Sequence, residues 1–558
     1  MNKVPSYMMI GSWVNYYIEG KHGSVCGSSS IVETLNGKVC GKTYLIDNER
    51  KVDAFLGIPY GRAERFEHPK PPKSWSNVLD CSNFRDRCPH VDLILEMPFL
   101  EAPKSENCLH LNIFTPSWKP GKDQPDGFAV IFFIHGGGFS IHSSDKYGDY
   151  GICKALCSKD VVVVTINYRL GYFGFLSTDD DVVPGNNGLF DQGLALKWVK
   201  ENINAFGGNP NNITVLGQSA GGSSADYLTL SPYTRDLFSK VIPMAGTAMH
   251  SFAHVSRAKN REKCLEFARS LGFTHKMNAS SKEINKAMIE FLKQQPQHKL
   301  ETSLVSFFGF NYNENVSLDL VPVEDGVFLP KKLSELRVEA PKKLVMSGTT
   351  KYEGLFLAFK PHRVITLNEA IQFLEQELTT QGYHPSKELV EKILDIYLKD
   401  GDKNNKRFMT KAVINMISDI SINFSQTEYS RTMTELGHTV YQYCFDYCNK
   451  KNMGLIGHAM AFRGATHCSE MAYLFHKGLL ANFHPNEQDL IMVETMTRLW
   501  TNFAKYGNPN GTDVDGAWKP LEAENPFMYY RIDLEPEYKD GLHFDRMKKW
   551  RQILSEYL

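Results

Sequence analysis

The sequence predicts an α/β fold with a large, mostly parallel central sheet flanked by helices. Strand-like and helix-like segments alternate through most of the 558 residues, without a Pro/Gly/Ser-rich linker or an internal repeat. Residues 129–134 and 161–166 are apolar along their whole length, as expected of strands buried on both faces of a parallel sheet. We therefore expect one oversized domain rather than several.

The next elements follow in chain order. Residues 189–206 carry apolar side chains about 3.6 positions apart and end at Gly207-Gly208, which predicts a helix and its stop. The apolar run 213–216 predicts the next strand, and further strands are predicted at 241–244, 344–346 and 440–447. The sheet is thus expected to continue almost to the end of the chain.

Helix-like, charged segments interrupt this sheet near residues 250–320 and 355–430. We interpret them as insertions that form a cap over the site, although plain surface helices would give the same pattern. Residues 1–25 are expected to be an N-terminal extension, and residues 26–558 one domain.

Composition excludes several classes of protein. A hydrophobic share of 42% supports a large core, and 62 basic against 63 acidic residues give no electrostatic reason to bind nucleic acid or an anionic membrane. No run is long enough for a membrane-spanning helix, and no metal-type C-x-x-C pair or cofactor motif stands out. The expected partner is a small-molecule substrate, with no cofactor and no metal.

The expected location is the cytoplasm, because the first twenty residues lack the continuous apolar region of a secretory signal. Eleven cysteines and five N-x-S/T sequons leave secretion or an endomembrane lumen as the alternative.

Ser219 is the strongest candidate for chemistry. It lies in Gly217-Gln218-Ser219-Ala220-Gly221, between a predicted strand and a helix-compatible stretch. A G-x-S-x-G motif at a strand-to-helix turn exposes the serine hydroxyl above the sheet, because the glycines allow the sharp turn. Ser219 is therefore predicted to be a nucleophile.

A serine nucleophile needs a base that is oriented by an acid, and in α/β-hydrolases both follow the serine along the chain. Glu353 lies in a loop of small residues after the predicted strand at 344–346, and His467 lies in a glycine-led loop after the strand at 440–447. Glu353 is predicted to be the acid, although an isolated glutamate is more often a surface residue. His467 is predicted to be the base.

The glycines after the strand at 129–134 supply the remaining part of the site. Without a Cβ, Gly137 and Gly138 can turn their amides toward a ligand, and with the amide of Ala220 they would form a three-donor oxyanion hole.

The chain resembles the type B carboxylesterases, the cholinesterase-like branch of the α/β-hydrolases, from about residue 31 to about residue 530. The resemblance is carried by FLGIPY at 55, ENCLHLN at 106, HGGGF at 135, NYRLG at 167, GNNGLFDQ at 185, FGGNP at 206 and GQSAGG at 217. It implies the α/β-hydrolase fold and the same roles for Ser219, Glu353 and His467. The same oxyanion donors are implied.

The resemblance also implies features around the site. Family members bridge the cysteine equivalent to Cys108 to an earlier one, here Cys88, although a reducing cytosol would leave both as thiols. Val316 and Leu318 would line the acyl side of the pocket. The Cys88–Cys108 segment lacks the tryptophan with which cholinesterases bind a cation, and Gln218 replaces their glutamate before the serine.

These features imply a serine esterase that acts on neutral carboxyl esters through an acyl-enzyme. Two alternatives stay open. The same acyl-enzyme could pass its acyl group to an alcohol or amine, as an acyltransferase does, or the fold could serve as a non-catalytic, neuroligin-like binding protein.

Overall fold

The computed structural model describes residues 25–93, 100, 102–303, 318, 320–357, 359–360, 363–364, 366–449, 460–478, 483–513, 515–543 and 545–557. The predicted extension at residues 1–25 therefore lies outside the described residues except for its last one. The strands are β1 (Val25–Ser28), β2 (Val32–Thr34), β3 (Gly37–Cys40), β4 (Lys42–Leu45), β5 (Lys51–Pro59), β6 (Leu79–Asp80), β7 (His110–Pro116), β8 (Phe128–Ile134), β9 (Val161–Ile166), β10 (Gly208–Gln218), β11 (Lys240–Met244), β12 (Leu344–Thr350), β13 (Phe359–Lys360), β14 (Arg363–Val364), β15 (Thr439–Phe445), β16 (Tyr529–Ile532) and β17 (Glu537–Lys539).

The α-helices lie mainly between the strands and in the two predicted insertions. They are α1 (Tyr150–Ala155), α2 (Gly171–Phe175), α3 (Asn187–Asn202), α4 (Ala220–Leu230), α5 (Arg257–Ser270), α6 (Ser281–Lys293), α7 (Leu333–Glu339), α8 (Gly354–Leu357), α9 (Leu367–Thr380), α10 (Lys387–Leu398), α11 (Lys406–Ser418), α12 (Phe424–Glu435), α13 (Met471–Phe475), α14 (Glu487–Tyr506) and α15 (Arg546–Ser555).

Twelve strands form one sheet in the order β1-β4-β5-β7-β9-β8-β10-β11-β12-β15-β16-β17. The neighbours from β9 to β16 pair in parallel, whereas β1, β4, β5, β7 and β17 pair antiparallel at the two sides. The predicted large, mostly parallel sheet with flanking helices is confirmed. Because parallel strands end at the same sheet edge, the loops after β8, β10, β12 and β15 meet there.

Strand β8 shows why its sequence is apolar throughout. Side chains alternate across a strand, and Phe132 and Ile134 join one core cluster while Ile131 and Phe133 join the cluster on the opposite face. Helices cover both faces, so neither set of side chains reaches solvent. The continuous apolar run thus reports burial on both faces, as predicted.

The predicted elements are present with different ends. The helix predicted at 189–206 is α3, which begins and ends earlier, followed by a 3-10 turn at Ile203–Phe206 before Gly207. The strand predicted at 440–447 ends at Phe445, and the strand predicted at 213–216 extends from Gly208 to Gln218.

Helices occupy the described parts of both predicted insertions. α5 and α6 lie in the first, and α9 to α12 lie in or beside the second. α9, α10 and α11 share a separate core cluster with α15, built around Leu374, Ile393, Ile414 and Trp550. Their role as a cap stays a prediction.

Candidate active site

Ser219 occupies a sharp turn between β10 and α4. Its backbone has φ 59° and ψ −127°, a region that costs a non-glycine residue on the order of 1–3 kcal/mol. Two hydrogen bonds hold this turn: the Ser219 N–H donates to Met244 O at 2.8 Å, and the Ser223 N–H donates to Ser219 O at 2.9 Å. The side chain is partly exposed, as a nucleophile at the end of a strand requires.

The turn is so tight that its neighbours must lack side chains. A Cβ on Gly217 would lie 2.0 Å from Gly221 O, and a Cβ on Gly246 would lie 2.0 Å from Ser219 O. The G-x-S-x-G motif already indicated that Gly217 and Gly221 lie close together. Gly246 lies beyond the motif, just after β11, and sequence reasoning missed it.

Gly246→Ala is expected to destabilise the protein by several kcal/mol, because the new methyl group overlaps backbone rather than a movable side chain. The midpoint of urea unfolding checks this. Gly272→Ala is the matched control: its added Cβ meets nothing within 4 Å, so only its positive φ should cost about 1 kcal/mol. Equal midpoints for the two variants would contradict the steric account.

The structure brings Glu353 and His467 together although 114 residues separate them. Glu353 Oε2 lies 2.6 Å from His467 Nδ1, and Glu353 Oε1 accepts from the Thr350 N–H at 2.6 Å. The Tyr352 N–H also donates to Ala465 O at 2.9 Å, so the two loops are joined by backbone as well. Glu353 is fully buried, which overturns the surface-residue alternative.

The other ring nitrogen of His467 lies beside the side chain that precedes Ser219. His467 Nε2 is 3.4 Å from Gln218 Nε2, and Gln218 Oε1 accepts from the Cys468 thiol at 3.0 Å. Among the hydrogen bonds of the described residues, none joins Ser219 Oγ to His467. Hydrogen bonds between a nucleophile and its base are often long in the absence of substrate and tighten only when substrate binds.

Two titrating groups define the charge of the site. Burial alone would lower the pKa of His467, but its contacts with Cys468 and with the Glu353 carboxylate outweigh burial and raise that pKa well above its usual range. Burial, assisted by the nearby charge of Glu353, raises the pKa of Glu470 to about 8. Glu470 therefore keeps its proton to a higher pH than an ordinary glutamate does.

Glu470 is a second residue that sequence reasoning did not single out. It lies three positions after His467 and is 1% exposed. Within the described part of the chain, its Oε2 has no hydrogen-bond partner. The only sequence feature that sets Glu470 apart is its spacing of three residues from His467, and that spacing does not by itself indicate a function.

The loop that carries the predicted oxyanion donors Gly137 and Gly138 begins beside Ser219. A Cβ on Gly136 would lie 3.1 Å from Ser219 Cβ, so the start of the glycine loop lies against the backbone turn at Ser219. No backbone carbonyl among the described residues accepts from the N–H groups of Gly137, Gly138 or Ala220. Their role as an oxyanion hole stays a prediction.

The remaining predicted site residues have mixed outcomes. Cys88 and Cys108 form a disulfide with their Cα atoms 5.0 Å apart. Leu318 is partly buried against the main core cluster, and Val316 lies outside the described residues. The acyl pocket therefore stays a prediction.

Comparisons with known proteins identify the family of the chain. The family model described as "Carboxylesterase family" matches residues 28–550. The chain is 37% identical to Esterase cest-33 of Caenorhabditis elegans over 93% of each chain, and 31% identical to Gut esterase 1 of Caenorhabditis briggsae over 95% of this chain and 93% of that one. It is 31% identical to Juvenile hormone esterase of Tribolium castaneum, again over 95% and 93%.

The match spans nearly the whole sheet, the turn at Ser219 and both loops that carry Glu353 and His467. Among the described residues, no helix is both long and apolar enough to cross a bilayer. The chain belongs to the carboxylesterase family and is an ester-hydrolysing enzyme.

Proposed function

We propose that the protein hydrolyses carboxylic esters through an acyl-enzyme on Ser219, with His467 as base and Glu353 as the acid that orients it. The observation that carries this proposal is the 2.6 Å contact between His467 Nδ1 and Glu353 Oε2 at the sheet edge where Ser219 lies. A carboxylate on Nδ1 fixes that proton and leaves Nε2 free to accept one.

The reaction has two halves. His467 Nε2 takes the proton of Ser219 as Oγ attacks the ester carbonyl, and the amides of Gly137, Gly138 and Ala220 stabilise the negative oxygen. The carbon–oxygen ester bond then breaks, and the leaving alcohol takes the proton from His467. Water repeats the sequence with His467 as base, which releases the carboxylic acid and restores Ser219.

Two features support a substrate without a cationic group. Gln218 is uncharged where cholinesterases carry a glutamate, and the segment between Cys88 and Cys108 contains no tryptophan. Leu318, predicted to line the acyl side of the pocket, is aliphatic and packs against the apolar core. This supports an uncharged acyl group.

The second helical insertion supports a role in holding the acid. The Gly354 N–H, next to Glu353, donates to Ser418 Oγ at 2.8 Å at the end of α11. Ser418 Oγ in turn donates to Ile414 O at 2.7 Å. We include in the proposal that the insertions near 250–320 and 355–430 cover the site.

The Cys88–Cys108 disulfide bears on location. A reducing cytosol keeps such cysteines as thiols, so the bond supports secretion or an endomembrane lumen over the cytoplasm. Imaging of the tagged protein decides between these compartments.

Hydrolysis of p-nitrophenyl esters with acyl chains from acetate to dodecanoate tests the proposed function. We expect turnover with at least the shorter chains, and a competing alcohol distinguishes hydrolysis from acyl transfer by its ester product. Absence of turnover across the whole series would refute the proposal.

The pH profile of kcat/KM should have an acidic limb above pH 6.5, the ordinary pKa of histidine. Only the neutral imidazole can take the Ser219 proton, so activity is present above the His467 pKa and is lost as pH falls through it. Because the pKa of His467 is raised, activity should already fall at a pH above 6.5. An acidic limb well below 6.5 would contradict the assignment.

A further inference from the structure

Five asparagines begin an N-x-S/T triplet, the motif that accepts an N-linked glycan. A glycan is bulky and hydrophilic, so a folded protein carries it only on an exposed side chain. The position of each asparagine in the fold therefore decides which triplet can hold one. The five are Asn212, Asn278, Asn315, Asn423 and Asn510, of which Asn315 lies outside the described residues.

Burial excludes Asn423. This residue lies in the π-helical turn that joins α11 to α12 and is fully buried. Its Nδ2 donates to Asp419 Oδ1 at 2.7 Å. A glycan on this nitrogen would have to displace the core around it, so the triplet at Asn423 is incompatible with the fold.

Hydrogen bonds inside the protein hold two more of these asparagines. Linkage to a glycan takes one of the two protons of the amide nitrogen, and Asn510 Nδ2 already uses both. It donates to Asn508 Oδ1 at 2.9 Å and to Trp518 O at 2.8 Å. Asn212 lies half-buried within β10, and its Nδ2 donates to Lys505 O on α14 at 3.3 Å. Neither side chain is directed toward solvent.

Asn278 lies in the turn between α5 and α6, and its surroundings are open. Every residue from 276 to 283 is exposed except Ala279, which is half-buried, and Met277 is 98% exposed. The Ala279 N–H donates to Lys276 O at 3.2 Å and holds the turn. Among the hydrogen bonds of the described residues, none involves the Asn278 side chain. A glycan on its Nδ2 would therefore extend into solvent without breaking a contact.

Ser280 supplies the hydroxyl of the same triplet and is also the N-cap of α6. Its Oγ accepts from the Glu283 N–H at 3.3 Å and donates to Glu283 Oε2 at 2.7 Å. Ser280 is exposed, so the cap does not bury the triplet. Threonine at this position would keep both the cap and the triplet.

The Cys88–Cys108 disulfide is a second, separate observation. Disulfides persist in the endoplasmic reticulum lumen and outside the cell, and the same route exposes a chain to N-glycosylation. The disulfide and the exposed triplet thus favour the same compartment.

We infer that Asn278 is a glycosylation site and carries an N-linked glycan. In the transfer, Asn278 Nδ2 loses one proton and bonds to the first carbon of an oligosaccharide. The bond from that carbon to the pyrophosphate of a lipid-linked donor breaks, and the lipid pyrophosphate leaves. This inference is independent of the reaction at Ser219 and rests on the secreted or lumenal location proposed above.

Peptide mapping of the protein isolated from the cells that make it tests the inference. Peptide N-glycosidase removes a glycan and leaves aspartate where the glycosylated asparagine stood. We expect aspartate at position 278 after treatment, and unchanged asparagine at positions 212, 423 and 510. The treated protein should also migrate further in a denaturing gel.

Three variants of the full chain, secreted from a eukaryotic cell, test the acceptor itself. Asn278→Gln should lose the mass of one glycan relative to wild type, whereas Ser280→Thr should keep it. Thr512→Ala is the matched control. Thr512 is exposed, and its substitution destroys the triplet at Asn510 without touching that side chain, so its glycan mass should equal that of wild type.

Two results would overturn the inference. The first is unmodified Asn278 in the protein from its own cells, and the second is equal glycan mass in Asn278→Gln and wild type. Because residue 278 lies outside the proposed triad and oxyanion loop, Asn278→Gln should hydrolyse p-nitrophenyl butyrate with the kcat of wild type. A loss of kcat in that variant would contradict a purely surface position.

Discussion

Ser219→Ala is expected to lower kcat for p-nitrophenyl butyrate by about 10⁵–10⁶-fold, the loss typical of a removed serine nucleophile. The variant removes one oxygen of a partly exposed residue and keeps the amides of the proposed oxyanion hole. The variant should therefore still hydrolyse the ester faster than the uncatalysed reaction in water. The midpoint of thermal unfolding should change little, because the side chain is not part of the core.

Ser223→Ala is the matched control. Ser223 lies one turn further along α4, and its hydroxyl donates to Thr247 O at 3.0 Å inside the protein. Loss of that hydrogen bond should lower the free energy of unfolding by about 1 kcal/mol. It should change kcat by no more than a few-fold relative to the wild-type enzyme. If Ser219→Ala turned over ester at the rate of Ser223→Ala, the nucleophile would be another residue.

Glu353→Gln is expected to lower kcat by about 10⁴-fold, as the equivalent amide substitution does in a serine protease triad. The amide has the same shape as the carboxylate but no charge, so it no longer stabilises the imidazolium that forms as Ser219 attacks. It can also turn its own N–H toward Nδ1, which would favour the wrong tautomer. Single-turnover kinetics measures the acylation step directly.

Glu470→Gln is the control for this substitution. Glu470 is as deeply buried as Glu353 and lies near it, but burial raises its pKa to about 8, which favours the neutral acid to a higher pH than in an ordinary glutamate. Exchange of one neutral group for another should cost less than tenfold, well below the loss from a charged triad member. Equal losses in the two variants would show that Glu353 acts through packing rather than through its charge.

The central sheet and the loops that carry Ser219, Glu353 and His467 could be predicted because both depend on local sequence patterns. Strands buried on both faces, such as β8 and β9, are apolar at every position, and the turn at Ser219 needs glycines at fixed distances. The sites of Glu353 and His467 follow because each lies in a loop after a predicted strand.

The edges of the sheet could not be predicted in the same way. β1, β4, β16 and β17 contain only three or four residues each, too few for an alternating pattern to stand out. Their pairing depends on partners distant along the chain. For the same reason, the contacts of Gly246 with Ser219 and of Ser418 with Gly354 had no local signature.

The contact between Gln218 and His467 is a further case. The sequence shows that Gln218 precedes the serine, but the position of its amide depends on contacts with the Cys468 thiol and the His467 ring, which are distant along the chain. Sequence reasoning therefore interpreted Gln218 only as the loss of a negative charge. The structure adds that its amide nitrogen lies 3.4 Å from His467 Nε2.

Labelling with a fluorophosphonate, followed by peptide mapping, tests the triad most directly. This reagent bonds to a serine oxygen only where a base activates it. We predict one phosphonate per chain, located on Ser219, with labelling abolished in His467→Ala and in Ser219→Ala. A label on another residue, or unchanged labelling in the His467 variant, would contradict the account.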